Sequence, residues 1–271
     1  MVSIRPTAAG VNNRRLMGQA TRGMEKSFLK LSAGYRITRA GDDAAGLGTA
    51  TALRAQLKSF HQASRNIRDA QSIIGNMEGA LTKSSELLIR ARELSMTYLN
   101  GAHEGNTKDE LKNEINAMFD EVDRIANNAE YAGRKLLNGS AGDMDFQIGI
   151  RDSDANFITI SNRDTTLTSL GLDGLMDGDP AEILNKLDAA LNDVTNIRGE
   201  LGSYANRLES TFISNQSLAM SAATSRSRVM DVDVAEETAR LSSNQVLRDA
   251  GTSVTTQINS STQQVLRLLD K

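Results

Sequence analysis

The run Leu31-Ser32-Ala33-Gly34-Tyr35-Arg36-Ile37-Thr38-Arg39-Ala40-Gly41-Asp42-Asp43-Ala44-Ala45-Gly46-Leu47-Gly48 decides how this chain is organised. Before it, Leu16, Ala20, Met24, Phe28 and Leu31 recur at helical spacing on one face. After it, a far longer apolar stripe begins at Leu53. Glycines break the period between the two. Gly34 and Gly41 are able to supply a positive φ, and Asp42 or Asp43 to cap the helix that follows. The run therefore predicts the end of a terminal helix, a structured connector, and the start of a long helix.

That long stripe passes through Leu53, Leu57, Phe60, Ala63, Ile67, Ala70, Ile74, Met77, Leu81, Leu88, Ala91, Leu94 and Tyr98, a coiled-coil-like seam that Asn100-Gly101 ends. A second stripe (Leu111, Ile115, Met118, Val122, Ile125) predicts a helix from about Asp109 to Asn128. A third helix starts after Pro180, a residue suited to a first turn, and runs through Leu184, Leu187, Leu191, Val194, Ile197, Leu201, Ala205, Leu208, Phe212 and Ala219. Three such stripes close a bundle core. Between them the period falls to two: Met144, Phe146, Ile148 and Ile150 alternate with polar residues, and Phe157 to Ile160 follow, predicting a β-hairpin at about 143–162.

The ends of the chain differ from its middle. The N-terminal stripe and a C-terminal one (Leu247, Ala250, Val254, Ile258, Val265, Leu268) are flanked by Ser, Thr, Gln and Asn. Isolated helices of this kind are marginal in water, and the two ends are natural partners for each other.

Composition narrows the function. Aromatic residues make up 4% of the 271, with no Trp and only two prolines, Pro6 and Pro180, which suits long narrow helical bundles more than a compact enzyme. A net charge of −3 with interspersed signs argues against a nucleic-acid groove. The absence of cysteine removes disulfides, thiol catalysis and cysteine metal sites. No cleavable signal pattern and no membrane-spanning apolar run are read from the sequence. His103-Glu104 opens like a zinc-protease motif, but Thr107 stands where its second histidine belongs. The acidic group Asp231, Asp233, Glu236 and Glu237 has the wrong spacing for a calcium loop and fits the start of a helix. No catalytic, cofactor-binding or metal-ligating residue is expected, and no cofactor.

In order along nearly the whole chain, the sequence resembles bacterial flagellin. The opening run carries the resemblance first. It continues through Arg65-Asn66-Ile67-Arg68-Asp69-Ala70, Arg90-Ala91-Arg92-Glu93-Leu94-Ser95, Gly133-Arg134-Lys135-Leu136-Leu137-Asn138-Gly139, Leu201-Gly202-Ser203-Tyr204-Ala205-Asn206-Arg207-Leu208 and Gln245-Val246-Leu247-Arg248-Asp249-Ala250-Gly251. The chain departs from relatives in opening Met1-Val2-Ser3-Ile4-Arg5-Pro6 rather than with an Asn-rich start.

The resemblance implies a mainly α, elongated, folded-back helical bundle and coiled coil with one small β-hairpin element, its N- and C-termini paired as an inner domain. Residues 1–45 and 226–271 would form that inner coiled-coil domain (D0), and residues 46–225 the rod domain (D1), with no outer D2 or D3 domains. The implied function is a structural subunit that polymerises into the helical flagellar filament for motility. It would be secreted unfolded through the flagellar type III apparatus to an extracellular filament; the alternative is a hook-filament junction protein of the same apparatus. Implied partners are other flagellin subunits, an export chaperone, the filament cap and hook-junction proteins, with no nucleic acid and no membrane insertion.

The implied residue roles divide in three. Leu16, Met24, Phe28, Leu31, Leu247, Val254, Ile258, Val265 and Leu268 would pack the inner tube, or else a core within one chain. Gly34, Asp42, Asp43 and Gly46 would shape the connector between the domains. Arg90, Arg92 and Glu93 are candidates for inter-subunit ion pairs or for a solvated face. Many flagellins are read by a Toll-like receptor through the rod surface; Arg90, Leu94 and Glu114 stand at matching positions, with Ile89 where recognised relatives carry Gln.

Overall fold

A computed structural model of the chain describes residues 8–100, 105–151 and 153–269, with side chains as far as residue 264. Pro6, Gly101, His103 and the side chains of Val265 and Leu268 lie outside the described residues. The described residues form five α-helices: α1 (Ala8–Ala33), α2 (Ala44–Tyr98), α3 (Asn106–Asn128), α4 (Pro180–Met230) and α5 (Val234–Leu269). Two antiparallel hairpins accompany them, β1 (Glu130–Tyr131) with β2 (Arg134–Lys135), and β3 (Met144–Gln147) with β4 (Phe157–Ile160). The mainly α class expected from the periodicity is the one observed.

The chain falls into two compact units, Met1–Ala55 with Ser221–Lys271, and Gln56–Met220. In the Gln56–Met220 unit the three long stripes converge. Ile67, Met77, Leu81 and Leu88 of α2, Ile115 of α3, and Ile183 and Leu187 of α4 are fully buried. Burying side chains of this size stabilises by about 1.5–3 kcal/mol each. Gly75 and Gly79 lie on the exposed side of α2, so they weaken it through backbone entropy alone and leave no hole in the core. Pro180 occupies the first helical position of α4, and the Asp179 carboxylate accepts the Ala181 N–H at 2.9 Å, capping the helix.

The expected β3–β4 hairpin pairs Met144 with Ile160 and Gln147 with Phe157, presenting Met144, Ile158 and Ile160 to the core. Two asparagine amides fasten its far end to helices. Asn66 of α2 donates to the Gln147 carbonyl at 2.9 Å, and the buried Asn215 of α4 donates to the Ile148 carbonyl at 2.6 Å. The β1–β2 hairpin was not legible in sequence. Its two-residue turn, Ala132 at φ 50° and Gly133 at φ 82°, has both central residues left-handed, and no Asn-Gly or Asp-Gly announces it. The single hairpin expected from the sequence is therefore one of two among the described residues.

In the other unit α1 packs against α5 mainly through small and polar side chains. The seam of α1 uses Asn13, Met17, Ala20, Gly23 and Ser27; that of α5 uses Glu237, Leu241, Asn244, Arg248, Gly251, Thr255 and Ile258. Both sets step by three and four residues, as a coiled-coil seam does. Asn13 donates its side-chain amide to the Gly251 carbonyl and to the Thr255 hydroxyl, each at 2.8 Å. Glycine gives room at two of the crossings. A Cβ on Gly23 would lie 2.7 Å from the Asn244 amide nitrogen, and one on Gly251 would lie 2.5 Å from Met17 Cγ. α5 opens on Asp233, whose carboxylate accepts the N–H groups of Ala235 at 2.9 Å and Glu236 at 3.1 Å. Glu236 and Glu237 lie in its first turn, where the helix dipole favours negative charge.

Candidate interaction surface and connector

The connector assembles the residues singled out in the opening run. α1 stops at Gly34, which adopts φ 72°, whereas Gly41 does not use the left-handed region expected of it. Immediately after, the chain pairs with the α4–α5 link: Arg36 N–H donates to the Met230 carbonyl at 2.6 Å, and Val232 N–H to the Gly34 carbonyl at 3.1 Å. The Arg36 guanidinium adds a bond to the Val229 carbonyl at 2.8 Å. Ile37, 2% exposed, seals this crossing against Ala50 and Met230.

The adjacent carboxylates then divide the work. Asp43 caps α2, accepting the Gly46 N–H at 2.8 Å. Gly46 has to be glycine because a Cβ there would overlap the Asp43 carboxylate and lie 2.7 Å from Ile37 Cδ1. Asp42 does not cap α2. Its carboxylate accepts the Thr38 N–H at 3.2 Å, the Thr38 hydroxyl at 3.0 Å and the Arg39 N–H at 3.2 Å, and pairs with Lys26 of α1 at 2.8 Å. The Lys26 ammonium, followed by the Thr38 and Arg39 donors, holds the Asp42 carboxyl well below the usual carboxylate range. Lys26, Arg36, Ile37 and Thr38 were missed from sequence. Nothing in a linear pattern pairs Lys26 with Asp42 across a helix end.

The terminal stripes prove to be largely unburied. Leu16 is 53% exposed, Phe28 65%, Leu247 59% and Val254 48%. Met24 and Leu31 are half-buried beside the seam, and Ile258 is half-buried within it. Val11, Leu29 and Val246 extend the exposed apolar surface and were not singled out in sequence. A core within one chain is therefore not what Leu16, Phe28, Leu247 and Val254 form, because the helix–helix contact is made by the smaller residues beside them.

On α2, Ile89 is exposed, and Arg90 pairs with Glu93 at 2.8 Å along the same helix with both side chains in solvent. Arg92 turns the other way, to Asp188 of α4 at 2.6 Å, and its hydrogen-bonded guanidinium lowers the Asp188 carboxyl below the usual range. Leu94 is 8% exposed and belongs to the core. Glu114 of α3 faces solvent. No described helix is long and apolar enough to cross a membrane.

Comparison with known proteins agrees with this architecture. Residues 4–142 match the family described as bacterial flagellin N-terminal helical region, and residues 184–269 match the bacterial flagellin C-terminal helical region. The chain is 32% identical over 273 residues to the flagellar filament 33 kDa core protein of Treponema phagedenis, spanning 94% of this chain and 96% of that protein. It is 32% identical over 296 residues to the flagellin of Bacillus subtilis (strain 168), spanning 96% and 97% of the two chains. A solved structure described as a flagellar hook-associated protein from Vibrio parahaemolyticus superposes with a TM-score of 0.59 over 70% of this chain and 100% of that one. At 15% identity that likeness concerns the fold alone. Two family regions covering both ends and two relatives matched almost end to end place this chain in the bacterial flagellin family.

Proposed function

We propose that the chain is a structural subunit that polymerises into the flagellar filament, and that its terminal helices are the assembly surface. One observation carries the reading: α1 and α5 pair through small and polar residues and leave Leu16, Phe28, Leu247 and Val254 in solvent. Large apolar side chains exposed on paired helices are stabilised only when another molecule covers them. Neighbouring copies stacked by a non-closing rotation supply that cover and produce an open helical polymer.

On this reading residues 1–45 with 226–271 form the inner domain and 46–225 the rod domain. The subunit is exported through the flagellar type III apparatus and functions outside the cell. The export chaperone, the filament cap and the hook-junction proteins are its further partners. For innate recognition by a Toll-like receptor, the available surface comprises Ile89, Arg90, Glu93 and Glu114 with Arg92 engaged by Asp188 beside them, whereas Leu94 is buried.

Purified monomer seeded with short filaments and viewed by negative-stain electron microscopy tests the proposal. Long tubes of uniform width, with termini that resist protease only after assembly, are the expected result. A discrete particle under every seeding condition would overturn it and favour a junction protein.

A further inference from the structure

Among the described residues Glu237 is the only charged one that is buried. It stands in the first turn of α5, at the end of the seam nearest the connector. Lys30 of α1 answers it at 3.7 Å, and the two side chains keep only 12% (Lys30) and 9% (Glu237) of their surface in water. The other cations in the groove around Glu237 have partners of their own: Lys26 pairs with Asp42 at 2.8 Å and Arg240 with Glu236 at 2.6 Å. One lysine and one glutamate are thus left to each other inside a helix–helix contact.

The rest of the α1 seam has no charge to offer a carboxylate. Asn13, Met17, Ala20, Gly23 and Ser27 are neutral, and Asn13 already donates to the Gly251 carbonyl and the Thr255 hydroxyl. The helices run antiparallel, since Asn13 meets Gly251, Gly23 meets Asn244 and Lys30 meets Glu237. Seam positions recur by heptads, so sliding α1 along α5 by one heptad still sets small residues against small ones. It does not keep the ion pair, because Glu237 then meets Gly23. A buried carboxylate without its counter-ion is strongly unfavourable, whereas the intact pair adds little stability over an apolar one. Such a pair discriminates between arrangements more than it stabilises one. The backbone bonds from Val232 to Gly34 and from Arg36 to Met230 hold the adjacent link, but they lie outside α1 and α5 and any sequence can make them.

We infer that Lys30 and Glu237 are the specificity-determining pair of the terminal helices: acting within one chain, they admit α1 to α5 only in the antiparallel register observed, and a subunit whose two charges do not match is excluded from the polymer. The inference rests on the polymerisation reading above. The pair acts as the termini come together during assembly and requires nothing of them in the free monomer.

The test is seeded polymerisation of full-length subunits, read as the monomer concentration left at the plateau. Lys30→Glu and Glu237→Lys each bring two like charges into the seam and should raise that concentration about tenfold or more. A subunit carrying both changes regains opposite charges and should return to within about threefold of wild type. An equimolar mixture of the two single variants should stay blocked, because a chain that pairs its own termini cannot borrow the complementary charge. Urea unfolding of each monomer should keep the wild-type midpoint, which the Gln56–Met220 unit sets. Single variants that polymerise like wild type would overturn the inference, as would a double variant no better than the singles. Growth of the mixture would overturn the assignment to one chain. A shifted urea midpoint in the single variants would also overturn it, since the defect would then lie in the fold and not in pairing. Wild type that fails to extend seeds overturns the polymerisation reading and the inference with it, whereas wild-type growth beside indifferent variants overturns the inference alone.

Discussion

In the Gln56–Met220 unit, α2, α3 and α4 meet through Ile67, Met77, Leu88, Ile115 and Leu187, each 0% exposed. In the other unit α1 and α5 meet through Asn13, Ala20, Ser27 and Gly251, while Phe28 and Leu247 stand 65% and 59% exposed. Both units are helical and both follow coiled-coil spacing. They differ in which stripe the helices turn toward each other. Where the large apolar stripe faces inward, the unit gathers hydrophobic and dispersion energy from its own chain. Where the small stripe does, backbones approach closely but little apolar area leaves water, and the stability of that pair depends on what covers its outer face.

The contrast can be broken most directly in the core. Leu88→Ala should lower stability by about 2–5 kcal/mol in urea unfolding of the monomer, because a fully buried leucine leaves a cavity. A change under 1 kcal/mol would mean that this unit is not self-sufficient. Asn215→Ala comes next, at about 1–3 kcal/mol, since it strips the Ile148 carbonyl of its donor in a buried place. Asp233→Ala removes the cap of α5 and should cost about 1 kcal/mol of that helix, visible as lost helical circular dichroism.

Phe28→Ala and Leu247→Ala sharpen the comparison from the other side. Each should shift monomer stability by less than about 0.5 kcal/mol, as exposed substitutions do, yet raise severalfold the monomer concentration left after seeded polymerisation. Destabilisation as large as that of Leu88→Ala would show that these side chains are core after all. The smallest effect is electrostatic. The Arg92–Asp188 pair supports the Gln56–Met220 unit above the unfolded aspartate pKa and loses its contribution as pH falls through the lowered value of Asp188. Asp188→Asn should flatten that acid limb of the stability profile, and added salt should do the same in the wild type.

Much of this was legible in the residues. The stripe from Leu53 to Tyr98 specified α2 because large apolar residues at steps of three and four can be buried together only on a helix, and Pro180 and Gly34 marked ends through their restricted or permissive φ. The acidic group at 231–237 was correctly read as helix-start charge, and Asp233 is the cap. The β1–β2 turn was missed because Ala132 adopts φ 50°, a conformation its side chain disfavours and no local signal predicts. The connector was only half legible. Of two adjacent aspartates either fits a cap, and Asp42 was diverted by a lysine sixteen positions earlier in sequence, on a helix already ended.

The sequence by itself determined the helices, their ends and their apolar faces, because propensity, periodicity and capping act within a few residues of one another. Tertiary structure alone decided which face of α1 meets α5, which aspartate caps α2 and which pairs with Lys26, and that Arg92 reaches Asp188 of α4. Those outcomes depend on how close two distant backbones come. Glycine at 23 and 251 permits an approach that the larger side chains would forbid, and only the folded chain shows that the helices take it.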